Sequence, residues 1–125
     1  YFNNQLYVYN IKKKFLNLIY SSSDMFIAAS IQEAFGKTWA EAMACGLPIV
    51  CFKETSAAEI IEHKLDGYVV NKIDEDKLLE GINWLASSYD HLNKKGRIRN
   101  KAKMFEAQKI ANNYIEIYKS CLNNT

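Results

Sequence analysis

Proline, glycine and cysteine are scarce in this sequence. Its 125 residues include one proline and five glycines, which excludes collagen-like chains and Pro/Gly-rich disordered chains. The three cysteines, Cys45, Cys51 and Cys121, are odd in number and have no C-x-x-C spacing. Neither a disulfide framework nor a zinc cluster is therefore predicted, and a reducing cytoplasm is the expected location.

Long apolar runs and a strong net charge are also absent. No run approaches the roughly 18 residues of a membrane span, and no signal-peptide pattern opens the sequence, so we expect a soluble protein. Sixteen Lys and Arg against 14 Asp and Glu give a net charge of +2, too small to indicate a polyanion-binding surface by itself.

The sequence contains enough apolar material for one folded domain, since 49% of its residues are hydrophobic. Short apolar segments alternate with amphipathic ones. The strands are predicted at 25–28, 49–52 and 68–70, and the helices at 11–20, 38–45, 57–63, after Asp74, and near 97–105 and 107–122. This alternation predicts an α/β fold, a partial doubly wound parallel sheet with helices on both faces.

Two helices have apolar stripes. The first carries Ile11, Phe15, Leu18 and Ile19 at helical spacing, which predicts that this face is buried. The last carries Ile110, Tyr114, Ile117, Tyr118 and Leu122. Between these helices, Gly46 and Pro48 are typical of a helix end, and Asp74 is typical of an N-cap.

The loop after the first strand has two features that a simple connection does not need. Gly36 allows close approach of the backbone to a ligand, and the free N–H groups of the following helix can bind phosphate. Lys37 lies beside the positive end of that helix, which is unfavourable unless an anion is bound. We therefore expect an anion here, at the strand ends where ligands bind in such sheets.

Two carboxylates lie in or just after this loop. Glu33 lies within it and Glu41 in the first turns of the helix, so both can point into one crevice and accept hydrogen bonds from a sugar diol. In the alternative interpretation, Glu33 is a solvated loop residue and Glu41 compensates the helix dipole.

The segment 33–50, EAFGKTWAEAMACGLPIV, resembles the E-x7-E segment of retaining GT-B glycosyltransferases (glycosyltransferase family 4, or glycosyl transferases group 1). The resemblance extends to LIYSSSDMF at 18–26, to EII at 59–61 and to DGYVV at 66–70. It is strong over roughly 15–85 and weak over the carboxyl-terminal helices. The fold it implies is the Rossmann-like second domain of a GT-B enzyme.

The resemblance also implies residue roles. Glu33 would be the catalytic residue that faces the donor sugar hydroxyls, and Glu41 would bind the nucleotide ribose. The backbone facing sugar and diphosphate would be that of Phe35, Gly36, Lys37 and Thr38. The resemblance implies no catalytic metal and no cofactor, because the nucleotide-sugar is the donor substrate and basic groups with the helix end stabilise the leaving diphosphate.

Domain organisation follows from the same resemblance. We expect residues 1–125 to be the carboxyl-terminal part of the nucleotide-sugar-binding domain, with a core at 11–88 and terminal helices at 94–122. The amino-terminal strands, the acceptor-binding domain and the family's phosphate-binding Arg and Lys would then be missing, so the fragment is not expected to be active alone. In addition, Thr55-Ser56-Ala57-Ala58 replaces the usual glycine-rich loop.

The predicted function is the transfer of a sugar from a nucleotide-sugar to a saccharide or lipid-linked acceptor, as in polysaccharide biosynthesis. The alternative is a non-catalytic nucleotide-binding or interaction module on the same scaffold. Lys12, Lys13 and Lys14 form a basic patch that favours either a peripheral contact with the inner face of the membrane or a simple solvated surface. The basic run at 94–103 has no interleaved aromatic residues, so a solvated helix face is predicted there and no nucleic-acid partner.

Other motifs have simpler interpretations. Gly36-Lys37-Thr38 copies the end of a P-loop, but that motif requires glycine where Ile31 stands. Asp74-Glu75-Asp76 imitates a D-x-D metal site, although acids at a helix start cap it and offset its dipole. The remaining candidates are predicted to be core residues (Trp39, Met43, Trp84) or surface residues (His63, His91).

Overall fold

A computed structural model of the protein describes residues 10–88 and 90–123, without the side chains of residues 88 and 91–93. The helices are α1 (Leu16–Ser21), α2 (Lys37–Ala44), α3 (Ser56–Ile60), α4 (Glu75–Ser88), α5 (His91–Ala102) and α6 (Ala107–Asn123). The strands are β1 (Phe26–Ala28), β2 (Ile49–Phe52) and β3 (Gly67–Val70). Residues 1–9 and 124–125 of the predicted domain lie outside the described residues.

The three strands form one parallel sheet in the order β1-β2-β3, which confirms the predicted α/β fold. All four residues of β2 are buried, as expected for a central strand with both faces covered. Ile27, Val50 and Tyr68 stand side by side in the register, so their side chains share one face of the sheet.

Helices cover the sheet unevenly. α2 packs on β1 and β2 with α5 behind it, and α4 packs on β2 and β3. Gly81 of α4 lies directly against Val50 and Tyr68, whereas Ile27 of β1 remains 43% exposed on the same face. Both faces are therefore covered at β2, and the coverage thins out toward β1.

The ends of α2 are set by two glycines. Gly36 precedes the helix with a left-handed φ of 64°, and Gly46 follows it with φ 85°. At the carboxyl end, Gly46 N–H donates to Met43 O at 2.8 Å and Leu47 N–H donates to Ala42 O at 3.0 Å. This pair of bonds is a Schellman motif, so the helix end predicted from Gly46 and Pro48 is confirmed.

The apolar stripe of the first helix was predicted to be buried, and this prediction is wrong. A 3-10 turn at Lys13–Phe15 leads into the short α1, and Phe15, Leu18 and Ile19 are exposed. The reason is the rotation of α1, because Tyr20 and Asn17 face α2 and the apolar stripe is turned away from it.

The later elements differ from prediction mainly in their bounds. α3 ends at Ile60, three residues earlier than predicted, and α5 begins at His91, ahead of the predicted start near residue 97. Asp74 Oδ1 accepts a hydrogen bond from Lys77 N–H at 3.0 Å, so its role as an N-cap is confirmed. The apolar stripe of α6 is exposed from Ile110 to Leu122.

Part of the basic run at 94–103 is not a solvated face, contrary to prediction. The fully buried carboxylate of Asp66 accepts hydrogen bonds from Arg97 Nε at 2.9 Å and from Lys101 Nζ at 2.5 Å. Both cations also pair with Glu62. The sequence missed this cluster because its two halves are more than 30 residues apart, and it ties α5 to the turn before β3.

The described helices include none that is both long enough and apolar enough to cross a membrane.

Candidate functional site

The loop between β1 and α2 brings Glu33 against the start of the helix. Gly36 has a left-handed backbone conformation that residues with a Cβ avoid. The Glu33 carboxylate lies so close to the Gly36 Cα that a Cβ at this position would collide with the carboxylate. Gly36, the N-cap residue of α2, has no side chain to cap the helix, and no capping side-chain hydrogen bond is formed at this end among the described residues. The first amides of the helix are thus available to a ligand, and a carboxylate stands beside them.

The loop is also tied to the next crossover. Ser56 Oγ, at the start of α3, donates a hydrogen bond to Phe35 O at 3.1 Å. This contact holds the loop near the carboxyl end of β2, at the edge of a parallel sheet where ligands bind.

Glu41 is the fifth residue of α2, beyond the first turn in which a carboxylate offsets the helix dipole. Its Oε2 accepts a hydrogen bond from the Tyr20 hydroxyl at 3.2 Å. The Tyr20 ring in turn packs edge-on against Phe26, with 6.1 Å between ring centroids. Burial, and then the neighbouring Glu41 carboxylate, raise the pKa of Tyr20.

A cavity of about 420 Å³ opens beside Glu41. One wall comes from α2 and the residues before it, and the other from the end of α5 and the start of α6. Its lining comprises Phe35, Lys37, Ala40, Glu41, Ala44, Ala102, Phe105, Glu106 and Ile110. The cavity therefore suits a ligand that has an apolar face and hydrogen-bonding groups at its edge.

Three aromatic rings form the floor of this region. Phe35, Trp39 and Phe105 lie in mutual contact, with centroids 5.3 to 5.5 Å apart. Trp39 is fully buried, as is Met43, so the predicted packing role of both is confirmed. The indole Nε1 of Trp39 has no hydrogen-bond partner within the described part of the chain.

The six predicted site residues fall into two groups around the amino end of α2. Phe35, Lys37 and Glu41 line the cavity. Glu33, Gly36 and Thr38 lie at the helix start, outside that lining, and a single crevice for both carboxylates stays a prediction. What the structure adds are Tyr20 and the carboxyl-terminal wall at Phe105 and Glu106.

The added residues had no usable signal in the sequence. Tyr20 is 21 residues from Glu41 and sits on the polar side of the apolar stripe used to orient the first helix. A pairing of Tyr20 with Glu41 depends on how α1 docks against α2, which helical spacing does not determine.

The other predicted candidates lie elsewhere. His63 is exposed and its Nδ1 accepts a hydrogen bond from Val69 N–H at 3.1 Å, so its surface position is confirmed. The predicted surface position of the His91 side chain lies outside the described part of the chain. Within residues 10–88 and 90–123, no three His, Cys, Asp or Glu side chains gather as metal ligands.

Comparison with known proteins gives a family match over most of the chain. The family described as glycosyl transferases group 1 matches residues 2–105. Spore coat protein SA of Bacillus subtilis (strain 168) is 32% identical over 112 residues, covering 86% of this chain and 30% of that protein. N-acetyl-alpha-D-glucosaminyl L-malate synthase of Bacillus anthracis is 32% identical over 98 residues, 77% of this chain and 26% of that protein.

A plant relative matches a shorter stretch. Sucrose synthase 2 of Pisum sativum is 35% identical over 78 residues, 62% of this chain and 8% of that protein. The chain thus spans a third or less of the length of these relatives.

Proposed function

The chain belongs to the glycosyl transferases group 1 family, and from this premise we propose that it forms the donor-binding part of a retaining glycosyltransferase. The reaction would transfer a sugar from a nucleotide-sugar to a saccharide or lipid-linked acceptor. We further propose that the acceptor is bound by another domain of the same enzyme, in the cytoplasm, as in polysaccharide biosynthesis.

One observation carries the proposal: Lys37 and Glu41, one helical turn apart on α2, line the same cavity, and Lys37 is the first residue of the helix that follows β1. A cation beside an uncapped helix start is suited to a diphosphate, and a carboxylate one turn later is suited to a ribose diol. The apolar walls between them suit the flat faces of a sugar or base.

We assign Glu33 to the hydroxyl groups of the donor sugar. Its carboxylate lies over Gly36, at the start of the helix, where the sugar attached to a bound diphosphate would stand. The backbone of Phe35, Gly36, Lys37 and Thr38 would face the sugar and diphosphate. Amides aimed at the leaving diphosphate stabilise the charge that develops on it, so the proposed mechanism needs no catalytic metal and no cofactor.

The proposed retention of configuration relies on attack from the face that the diphosphate leaves, with the leaving phosphate accepting the acceptor's proton. In this scheme Glu33 and Glu41 both bind the donor. They do not form the acid and nucleophile pair of a glycosidase.

The test is a titration of the chain with ADP, UDP and GDP, in which NMR spectra report nucleotide binding. Glu41→Ala should weaken binding of the preferred nucleotide by about 1.5 to 3 kcal/mol, because it removes charge-assisted hydrogen bonds to the ribose. The control is Glu116→Ala, which removes an exposed carboxylate of α6 paired with Lys119.

If the wild type and Glu41→Ala bind the nucleotide with equal affinity and the variant has a lower melting temperature, Glu41 has a structural role and does not bind the ribose. Binding that depends on Glu41 in an enzyme carrying the acceptor domain, but without sugar transfer, would favour the non-catalytic nucleotide-binding module.

A further inference from the structure

We infer that Tyr20 is a positioning residue for Glu41: its hydroxyl holds Oε2 of the carboxylate and leaves Oε1 directed to the ribose diol of the nucleotide. This inference rests on the proposed function, in which Glu41 binds that ribose. It adds a residue from α1 to a site whose walls come from α2, the loop before it, and the junction of α5 and α6.

Tyr20 is placed to hold the Glu41 carboxylate. The hydroxyl donates to Oε2 at 3.2 Å, and the ring is held by its edge-on contact with Phe26. One turn earlier on α1 and just past the end of α2, the Cys45 thiol donates to Asn17 O at 4.0 Å. These two contacts, one turn apart, align α1 with α2. The Tyr20 hydroxyl is therefore kept within hydrogen-bond distance of the Glu41 carboxylate.

A glutamate carboxylate needs such a partner if it is to bind a diol in one orientation. The terminal torsion of Glu is broad and roughly two-fold, so a free carboxylate samples many orientations. Its two oxygens offer about four acceptor positions, of which Tyr20 takes one. The diol then meets a carboxylate that is already oriented, which reduces the entropy lost on binding.

The chemistry of Tyr20 at neutral pH fits this role. Burial first, and the adjacent carboxylate second, raise the pKa of the phenol. Tyr20 therefore remains protonated across the physiological range and acts as a donor toward Glu41.

The experiment compares ribonucleotides with nucleotides that lack the diol. ADP, UDP and GDP, and their 2′,3′-dideoxy counterparts, are titrated into the wild-type chain and into Tyr20→Phe, which keeps the ring and its packing on Phe26. The matched control is Tyr68→Phe, because the Tyr68 hydroxyl also donates to a carboxylate, Glu80 Oε1 at 2.8 Å, on the surface of α4.

We expect the wild type to bind the preferred ribonucleotide more tightly than its dideoxy counterpart. Tyr20→Phe should weaken ribonucleotide binding about three- to tenfold and leave dideoxynucleotide binding unchanged, because only the diol uses the oriented carboxylate. Tyr68→Phe should change neither affinity. In a Glu41→Ala background, Tyr20→Phe should have no further effect.

Three outcomes would overturn the inference, and they are distinguishable. If the wild type binds both nucleotides equally, or neither, the ribose assignment of Glu41 fails and the inference fails with it. If Glu41→Ala abolishes the preference for ribonucleotides but Tyr20→Phe keeps it, only the inference fails. If Tyr20→Phe weakens the binding of the ribonucleotide and of the dideoxynucleotide equally, Tyr20 supports the fold and does not position Glu41.

Discussion

Gly36 is the residue on which the geometry at the start of α2 depends. Its φ of 64° is left-handed, and a Cβ there would displace the Glu33 carboxylate. Gly36→Ala should therefore cost about 1 to 2 kcal/mol of unfolding free energy. It should also abolish detectable nucleotide binding, because the backbone can no longer approach the diphosphate. Urea unfolding and nucleotide titration measure the two effects.

The chain offers a matched control in Gly96, which lies within α5 and has open space where a methyl group would stand. Gly96→Ala should stabilise the protein by about 0.5 to 1 kcal/mol, because alanine loses less backbone entropy in a helix. Nucleotide affinity should be unchanged. Near-normal nucleotide binding by Gly36→Ala would contradict the proposed position of the diphosphate.

At the same scale, sequence and structure agree on single residues wherever one local rule decides the outcome. Gly46 and Asp74 were predicted correctly because a helix end needs a left-handed residue and a helix start needs an acceptor. The site roles of Glu33 and Glu41 came from the resemblance and stay predictions. Tyr20 could not be predicted, because its contact with Glu41 is created by helix docking.

Among the elements, α5 owes its place to a buried carboxylate. Burial alone would raise the pKa of Asp66, but hydrogen bonds from Lys101 and Arg97 outweigh it and hold the pKa below its ordinary value. A carboxyl group of this kind stabilises the fold above the ordinary Asp pKa of about 3.9, and the stabilisation is lost as the pH falls through the folded pKa.

Asp66→Asn should lower the unfolding free energy at pH 7 by about 1.5 to 3 kcal/mol, the range for hydrogen bonds to charged groups. It should also flatten the loss of stability below about pH 4, since the titrating group is gone. Urea unfolding from pH 7 to pH 3 measures both effects.

The control for this prediction is Glu80→Gln, which alters an exposed carboxylate on α4 bonded to Lys77 and Tyr68. Its effect at pH 7 should be small, because exposed ion pairs contribute little. If the Asp66→Asn protein is as stable as the wild type at pH 7 and loses the same unfolding free energy as the pH falls to 3, other contacts hold α5 in place.

Elements were predictable from sequence to the extent that their burial is uniform. β2 was predicted with its observed bounds, because a central strand is apolar throughout. The buried face of α1 was predicted wrongly. A stripe at helical spacing shows that one face of a helix is apolar, but it does not show which element packs against that face. The salt-bridge cluster of α5 was missed for a similar reason, since a run of basic residues does not show where its carboxylates lie.

For the whole molecule, we predict that the 125-residue chain transfers no sugar by itself. It spans 30% of the length of spore coat protein SA. The proposed reaction needs donor and acceptor held in contact, and a misplacement of about 1 Å can cost 10²-fold in rate. In this proposal the described residues supply the walls for a donor, and the acceptor is assigned to a further domain.

A transferase assay on the purified chain tests this prediction, with a panel of nucleotide-sugars and with oligosaccharide and lipid-linked acceptors. The expected result is no turnover, together with weak binding of a nucleotide. Steady turnover that Glu33→Ala abolishes would show that the acceptor domain is dispensable.

The buried indole of Trp39 gives the molecule a built-in optical reporter. Trp39 is fully buried, its Nε1 has no partner within the described residues, and it touches Phe35, which lines the cavity. An indole in such surroundings fluoresces at shorter wavelength than one in water. Trp84, half-buried beside Tyr68 on α4, provides the reference emission from the same chain. We therefore expect occupation of the cavity to change the Trp39 emission through its contact with Phe35, so ligand screening needs no attached dye.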